Sequence, residues 1–94
     1  MQATGWKGGT FGVRVGKANA ARYFSKTART IEVQIDAQFH PFELADTFWT
    51  TCPEFRGAVI GGWLIRNGLA PWPRGKPPTL TVTPLGNNRY RLSK

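Results

Sequence analysis

The sequence predicts a mainly β, α+β fold: a small curled sheet or partly open barrel of about five strands, with one longer helix and one or two short ones. Three observations predict it. Apolar residues alternate with polar ones over short windows, as in Phe11, Val13 and Val15, in Ile31, Val33 and Ile35, and in Leu80 and Val82 followed by Tyr90 and Leu92. That is the period of half-buried strands. Only one stretch, from Pro53 to Asn67, has apolar residues at helical spacing. Strands this short in a chain of 94 residues curl into a compact barrel closed at its ends by helices.

The length fits one domain, 1–94, and 40% hydrophobic with 13% aromatic residues is the composition of a globular chain whose core leans on rings. Glycines at 5, 8, 9 and 12 predict a flexible opening over residues 1–10, ahead of a strand at Phe11–Val15. Asn19–Phe24 suits one or two helical turns, which need Tyr23 and Phe24 docked to be stable. The window 30–35 is the clearest strand, because its β-branched residues suit a pleated surface. Asp36 and Ala37 read as a tight turn, and the chain returns over Gln38–Leu44, where Pro41 marks an edge or a bulge.

Asp46 is placed to cap a short turn through Phe48 and Trp49. Pro53 suits the first turn of the longer helix, with Glu54 near its positive end. Phe55, Val59, Ile60, Trp63 and Leu64 then share one face. Gly57, Gly61 and Gly62 weaken this helix, so either 53–57 is a separate turn or another backbone comes close. Gly68 and Leu69 supply the stop. Residues 70–78 hold four prolines and form a stiff connector without a regular ladder. Thr79–Thr83 and Asn88–Leu92 make a closing hairpin that leaves Arg89 and Arg91 side by side on the outer face.

Charge is sorted along the chain. All five acids lie between Glu32 and Glu54, while the thirteen cations lie in residues 1–31 and 55–94, for a net charge of +8. If the two ends meet, they form one basic face backed by an acidic middle, the footprint of a polyanion binder. Eight of the thirteen cations are arginines, whose planar fork suits phosphate and guanine edges. Lys7, Arg14, Lys17, Arg22, Arg74, Lys76, Arg89 and Arg91 are the candidate contacts. Trp72, framed by prolines beside Arg74, is a candidate stacking platform or the cover of a core edge.

Other chemistries find little support. The one histidine, His40, and the one cysteine, Cys52, stand twelve residues apart, too few ligands for a zinc site. Cys52 at a helix start reads as buried and inert. The glycines at 5–12 lack the Gly-Lys-Ser/Thr ending of a phosphate loop. No apolar run approaches the roughly 18–20 residues of a membrane span, and no signal peptide opens the chain, so a cytoplasmic protein is expected. Neither an enzyme nor a cofactor is expected.

The Gly-Val-Arg-Val strand, the hairpin at 30–44, and the tokens Phe48-Trp49, Cys52-Pro53-Glu54, Gly68-Leu69-Ala70-Pro71-Trp72-Pro73 and Gly75-Lys76-Pro77-Pro78 resemble a small uncharacterised bacterial family. The element order is loosely similar to the DNA-binding pseudobarrel of plant transcription factors and restriction-enzyme effector domains. That likeness implies a curled sheet with basic strand–loop arms for the major groove. The expectation is therefore a non-enzymatic domain that binds double-stranded DNA, or RNA, through its N-terminal segment and C-terminal hairpin. The alternative is a protein-interaction module, as a homodimer or with an acidic protein partner.

Overall fold

In a computed structural model covering residues 1–94, the chain builds one seven-stranded sheet that curls almost into a barrel. The strands are β1 (Gln2–Gly8), β2 (Thr10–Arg14), β3 (Thr30–Ile35), β4 (Gln38–Glu43), β5 (Glu54–Arg56), β6 (Thr79–Gly86) and β7 (Arg89–Ser93). The helices are α1 (Lys17–Tyr23) and α2 (Ala58–Arg66), with a 3-10 turn at Asp46–Trp49. Sheet order is β4–β3–β7–β6–β1–β2–β5, antiparallel throughout except for the parallel pair β3–β7. No helix is long and apolar enough to cross a membrane.

The two strands beyond the expected five are β1 and β5. Residues 1–10, expected to be flexible, form β1 because both of its edges find partners: β2 from Thr4 to Gly8, and β6 from Gln2 to Thr4. Gly9, at φ 72, makes the turn into β2. Residues 54–56, read either as the opening of the long helix or as a separate turn before it, form the last strand of the sheet. There Phe55 lies opposite Val13 and is 1% exposed, so the helix starts only at Ala58. Sheet burial outweighed the helical spacing, and Pro53 ends as the residue whose carbonyl accepts the Val15 N–H at 2.9 Å.

The helix stop forms as expected. Gly68 is at φ 70, the Leu69 N–H donates to the Leu64 carbonyl, and the Gly68 N–H donates to the Ile65 carbonyl, a Schellman motif. The hairpin 30–44 forms with Ile31, Val33, Ile35 and Phe42 inside, while Phe39 points outward opposite Gln34. The closing hairpin is longer than expected, turning at Asn87 and Asn88, both at positive φ, after a bulge between Pro84 and Gly86. Pro84 lies beyond the end of β1, so its missing N–H leaves no gap in that ladder.

Three smaller expectations fail. Asp46 does not cap the 3-10 turn: Ala45 holds the capping position without a side-chain hydrogen bond. Cys52 is exposed and begins no helix, because that helix starts six residues later. Tyr23 is left on the surface, and Phe24 alone docks.

One core of 21 buried residues fills the barrel, drawn from every strand and from α2. The two helices cover opposite ends, since α1 follows β2, α2 follows β5, and those strands run antiparallel. At the α1 end, Phe24 stacks on Tyr90 at 4.5 Å and meets Phe48 edge-on at 4.9 Å. The Tyr90 hydroxyl donates to the Tyr23 carbonyl at 2.8 Å, tying β7 to the end of α1.

Burial pushes the Tyr90 hydroxyl above its ordinary pKa of 10.0. The folded state therefore keeps this proton after the unfolded chain has lost it. The stability this gives is whole below pH 10 and is lost as pH rises through the folded-state value. Tyr90→Phe is expected to cost about 1 kcal/mol at neutral pH through the lost hydrogen bond. It should also flatten the alkaline fall in melting temperature, which a series of thermal melts across pH 8–11 checks.

Candidate nucleic-acid interface

The ends of the chain do meet. β1 pairs with β6, and the N-terminal ammonium donates to the Val82 carbonyl at 2.6 Å. The acids do not form a separate back, however, because strand order interleaves them with the cations. Arg14 Nε lies 3.4 Å from Glu54 Oε2, Arg66 Nη2 3.3 Å from Asp36 Oδ2, and Arg89 Nε 3.1 Å from Glu32 Oε1. The last pair forms because β3 docks beside β7 and places Glu32 opposite Arg89. Of the thirteen cations and five acids, ten cations and two acids stay outside such pairs.

The candidate residues fall into four places. Lys7, Trp72, Arg74 and Lys76 come together beside β1. The Gly5 N–H donates to the Pro78 carbonyl at 2.9 Å, and Trp72 packs on Gly5 and tilts against Phe11 at 5.4 Å, so the proline loop is fastened to β1 at two points. Arg74 and Lys76 project from the loop between those points, and both are exposed. Lys7 Nζ lies 5.6 Å from the Phe11 ring. Trp72 is half-buried against the core, so covering an edge is its main packing role here.

Lys17 and Arg22 stand on α1, at the other end of the barrel. Arg89 and Arg91 lie on the outer face of β7, where Arg89 is held by Glu32 and Arg91 Nε donates to Gln34 Oε1 at 3.0 Å. Arg14 is held by Glu54, whose side chain is only 9% exposed.

Two residues outside that set, Trp6 and Arg56, form a second cluster on the outer face of the sheet, the face of β1 opposite to Lys7. Trp6, Gly12 and Arg56 are register partners in a row across β1, β2 and β5. The Trp6 ring packs against Gly8, where a Cβ would come within 2.6 Å of it, and the Arg56 guanidinium stands 5.5 Å from the ring centroid. Gly12 makes the row possible, since a Cβ there would come within 2.6 Å of the Phe55 carbonyl oxygen and 2.9 Å of the Arg56 Cβ. The signal in the sequence was a glycine inside a strand pattern, which marks close approach. Arg56 was hidden by its assignment to a helix. Gly12→Ala is expected to cost about 2 kcal/mol by overpacking against backbone and to push Arg56 off Trp6, read as a lowered melting temperature and a changed near-ultraviolet tryptophan signal.

The sheet stops short of closing between β4 and β5, which face each other antiparallel without a ladder. Phe42 and Phe55, 5.4 Å apart, bridge the gap from the core side. Above them runs a groove of about 800 Å³ whose walls include Trp6, His40, Pro41, Glu43, Cys52 and Arg56. The Leu44 N–H donates to the Arg29 carbonyl and the Gly57 N–H to the Phe11 carbonyl. By the alternation of antiparallel ladders, the backbone groups of Glu43, Pro41 and Arg56 then turn into the groove. This edge is blunted: Pro41 has no N–H, and the Glu54 N–H folds back onto the Cys52 carbonyl at 2.8 Å. No protein-family model, curated protein or solved structure matches the chain, and the functional reading therefore rests on the arrangement of these side chains.

Proposed function

We propose that the protein is a non-enzymatic nucleic-acid-binding domain whose phosphate contacts centre on Lys7, Arg56, Arg74 and Lys76. The observation that carries this reading is that, of the ten cations no carboxylate engages, these four are grouped with the surface tryptophans: Arg56 on Trp6, and Lys7, Arg74 and Lys76 around the Trp72 loop. Cations already paired gain little from a phosphate, because a carboxylate must first be displaced. Unpaired ones release counterions from the nucleic acid, and each contact steepens the salt dependence. Each of the two clusters has a ring beside its charges: Trp6 beside Arg56, and Trp72 against the Phe11 ring that Lys7 overlies, in the loop that carries Arg74 and Lys76. Relative to the arms expected from sequence, the surface moves from the C-terminal hairpin to the proline loop and the end of β5.

Fluorescence anisotropy across a salt series tests the reading, with duplex DNA as the first probe. A log–log slope of several units is expected. Weak binding to duplex DNA, single-stranded DNA and RNA alike at low salt would sink it. The unpaired cations would then favour the other reading, an acidic protein partner, captured at low salt in a form insensitive to nuclease.

A further inference from the structure

Four rings at the surface each have a cation nearby. Lys7 is 5.6 Å from the Phe11 centroid, Arg22 5.3 Å from Tyr23, Arg56 5.5 Å from Trp6, and Arg89 5.1 Å from Phe39. Core packing does not account for all four rings, since Tyr23 and Phe39 remain 36% and 39% exposed.

Duplex binding through phosphates uses cations but has no use for rings, because the faces of paired bases are stacked on one another. A single strand presents both phosphates and free base faces, and rings set among cations match both at once. The two pairs nearest the sheet opening stand on either side of it. Trp6 and Arg56 line the groove from the β5 side, while Phe39 projects from the outer face of β4 with Arg89 beside it.

We infer that the protein prefers single-stranded nucleic acid to duplex, with a base stacked on Trp6, its phosphate on Arg56, and the strand crossing the β4–β5 groove toward Phe39. The inference rests on the nucleic-acid reading above and specifies its ligand. Gly8 leaves room for the indole, since a Cβ there would come within 2.6 Å of it, and a base takes the ring face under Arg56 as Arg56 swings from the ring to the phosphate. Glu43, which makes no ion pair, stands on the groove wall as an acceptor for the exocyclic amino group of a cytosine or adenine.

The test is fluorescence anisotropy with labelled single-stranded DNA and single-stranded RNA of about 15 nucleotides, within the range one small barrel covers, beside the duplex of the same sequence. Either single strand is expected to bind about tenfold tighter than the duplex. Trp6→Ala should weaken single-strand binding about tenfold with the salt slope unchanged, as loss of stacking does, while Trp6→Phe keeps most of the affinity. Arg56→Gln should lower the slope by about 0.7, one phosphate of a single strand. Phe39→Ala, at an exposed position, carries the stacking test should Trp6→Ala fail to fold, and is expected to weaken binding about fivefold.

Duplex bound as tightly as both single strands, or stacking variants that fold and bind single strands as the wild type does, would overturn this inference and leave nucleic-acid binding standing. Absence of binding to all three probes would overturn both. The difference between the DNA and RNA strands then shows whether a 2′-hydroxyl is read.

Discussion

Phe48→Ala is expected to lower stability by about 4 kcal/mol, a large part of the roughly 5–15 kcal/mol that holds a domain of this size. Phe48 is 0% exposed and is the one buried residue of the 3-10 turn, wedged edge-on against Phe24 and Trp49. The turn has no side-chain cap, and the chain crosses through it from β4 to β5, the two strands that do not pair. Loss of the ring leaves a cavity between this crossover and the Phe24–Tyr90 stack, with no ladder to hold the crossover in place. Chemical denaturation measures the loss. Phe48→Leu, which refills most of the space, is expected to recover more than half of it. Equal loss in both variants would mean that ring geometry, and not volume, holds this end of the barrel.

Replacing Lys7, Arg56, Arg74 and Lys76 together by Gln is expected to weaken nucleic-acid binding about a hundredfold or more near physiological salt and to lower the log–log salt slope by about 3. All four side chains are exposed and none forms an ion pair, so the folded state should lose only the ring contacts of Lys7 and Arg56, about 0.5–1 kcal/mol each, which reduced self-repulsion partly offsets. The matched control is Arg14→Gln with Arg66→Gln. Both arginines are held by carboxylates, at 3.4 and 3.3 Å, and their loss is expected to change the slope by less than about 1. Equal slope changes in the two variants would show that only net charge matters and that the position of the four residues does not.

The parts of the fold legible in the sequence are those whose determinants are local. The hairpin 30–44 was readable because β-branched residues alternate over six positions before a turn. The end of α2 was readable because Gly68 and Leu69 carry a stop that needs only the neighbouring carbonyls of Leu64 and Ile65. The closing hairpin showed its core face in Leu80, Val82, Tyr90 and Leu92, all buried as expected. β1 and β5 were not readable. β1 is glycine-rich and has no alternating apolar face, and β5 is three residues long with a single ring inside. β5 is a strand only because the distant β2 offers its edge, and β1, whose hairpin with β2 hinges on the glycine turn at Gly9, is completed by the distant β6, a long-range condition that no local pattern records.

The candidate site divides the same way. Lys7, Arg74, Lys76 and Trp72 were visible as basic residues and an aromatic in acid-free segments, and the fold brings them together because Pro78 and Trp72 anchor the proline loop to Gly5. Arg56 was not visible, because its partner Trp6 lies fifty residues away and they meet through Gly12. The sequence by itself determined the charge excess, the local hairpins and the arginine-rich ends, since those follow from composition and near-neighbour geometry. Only the tertiary structure decided which arginines are free. The parallel docking of β3 against β7 sets Glu32 on Arg89, and the pairing of β5 with β2 sets Glu54 on Arg14, so strand order across the sheet, and not order along the chain, determines where unneutralised charge faces water.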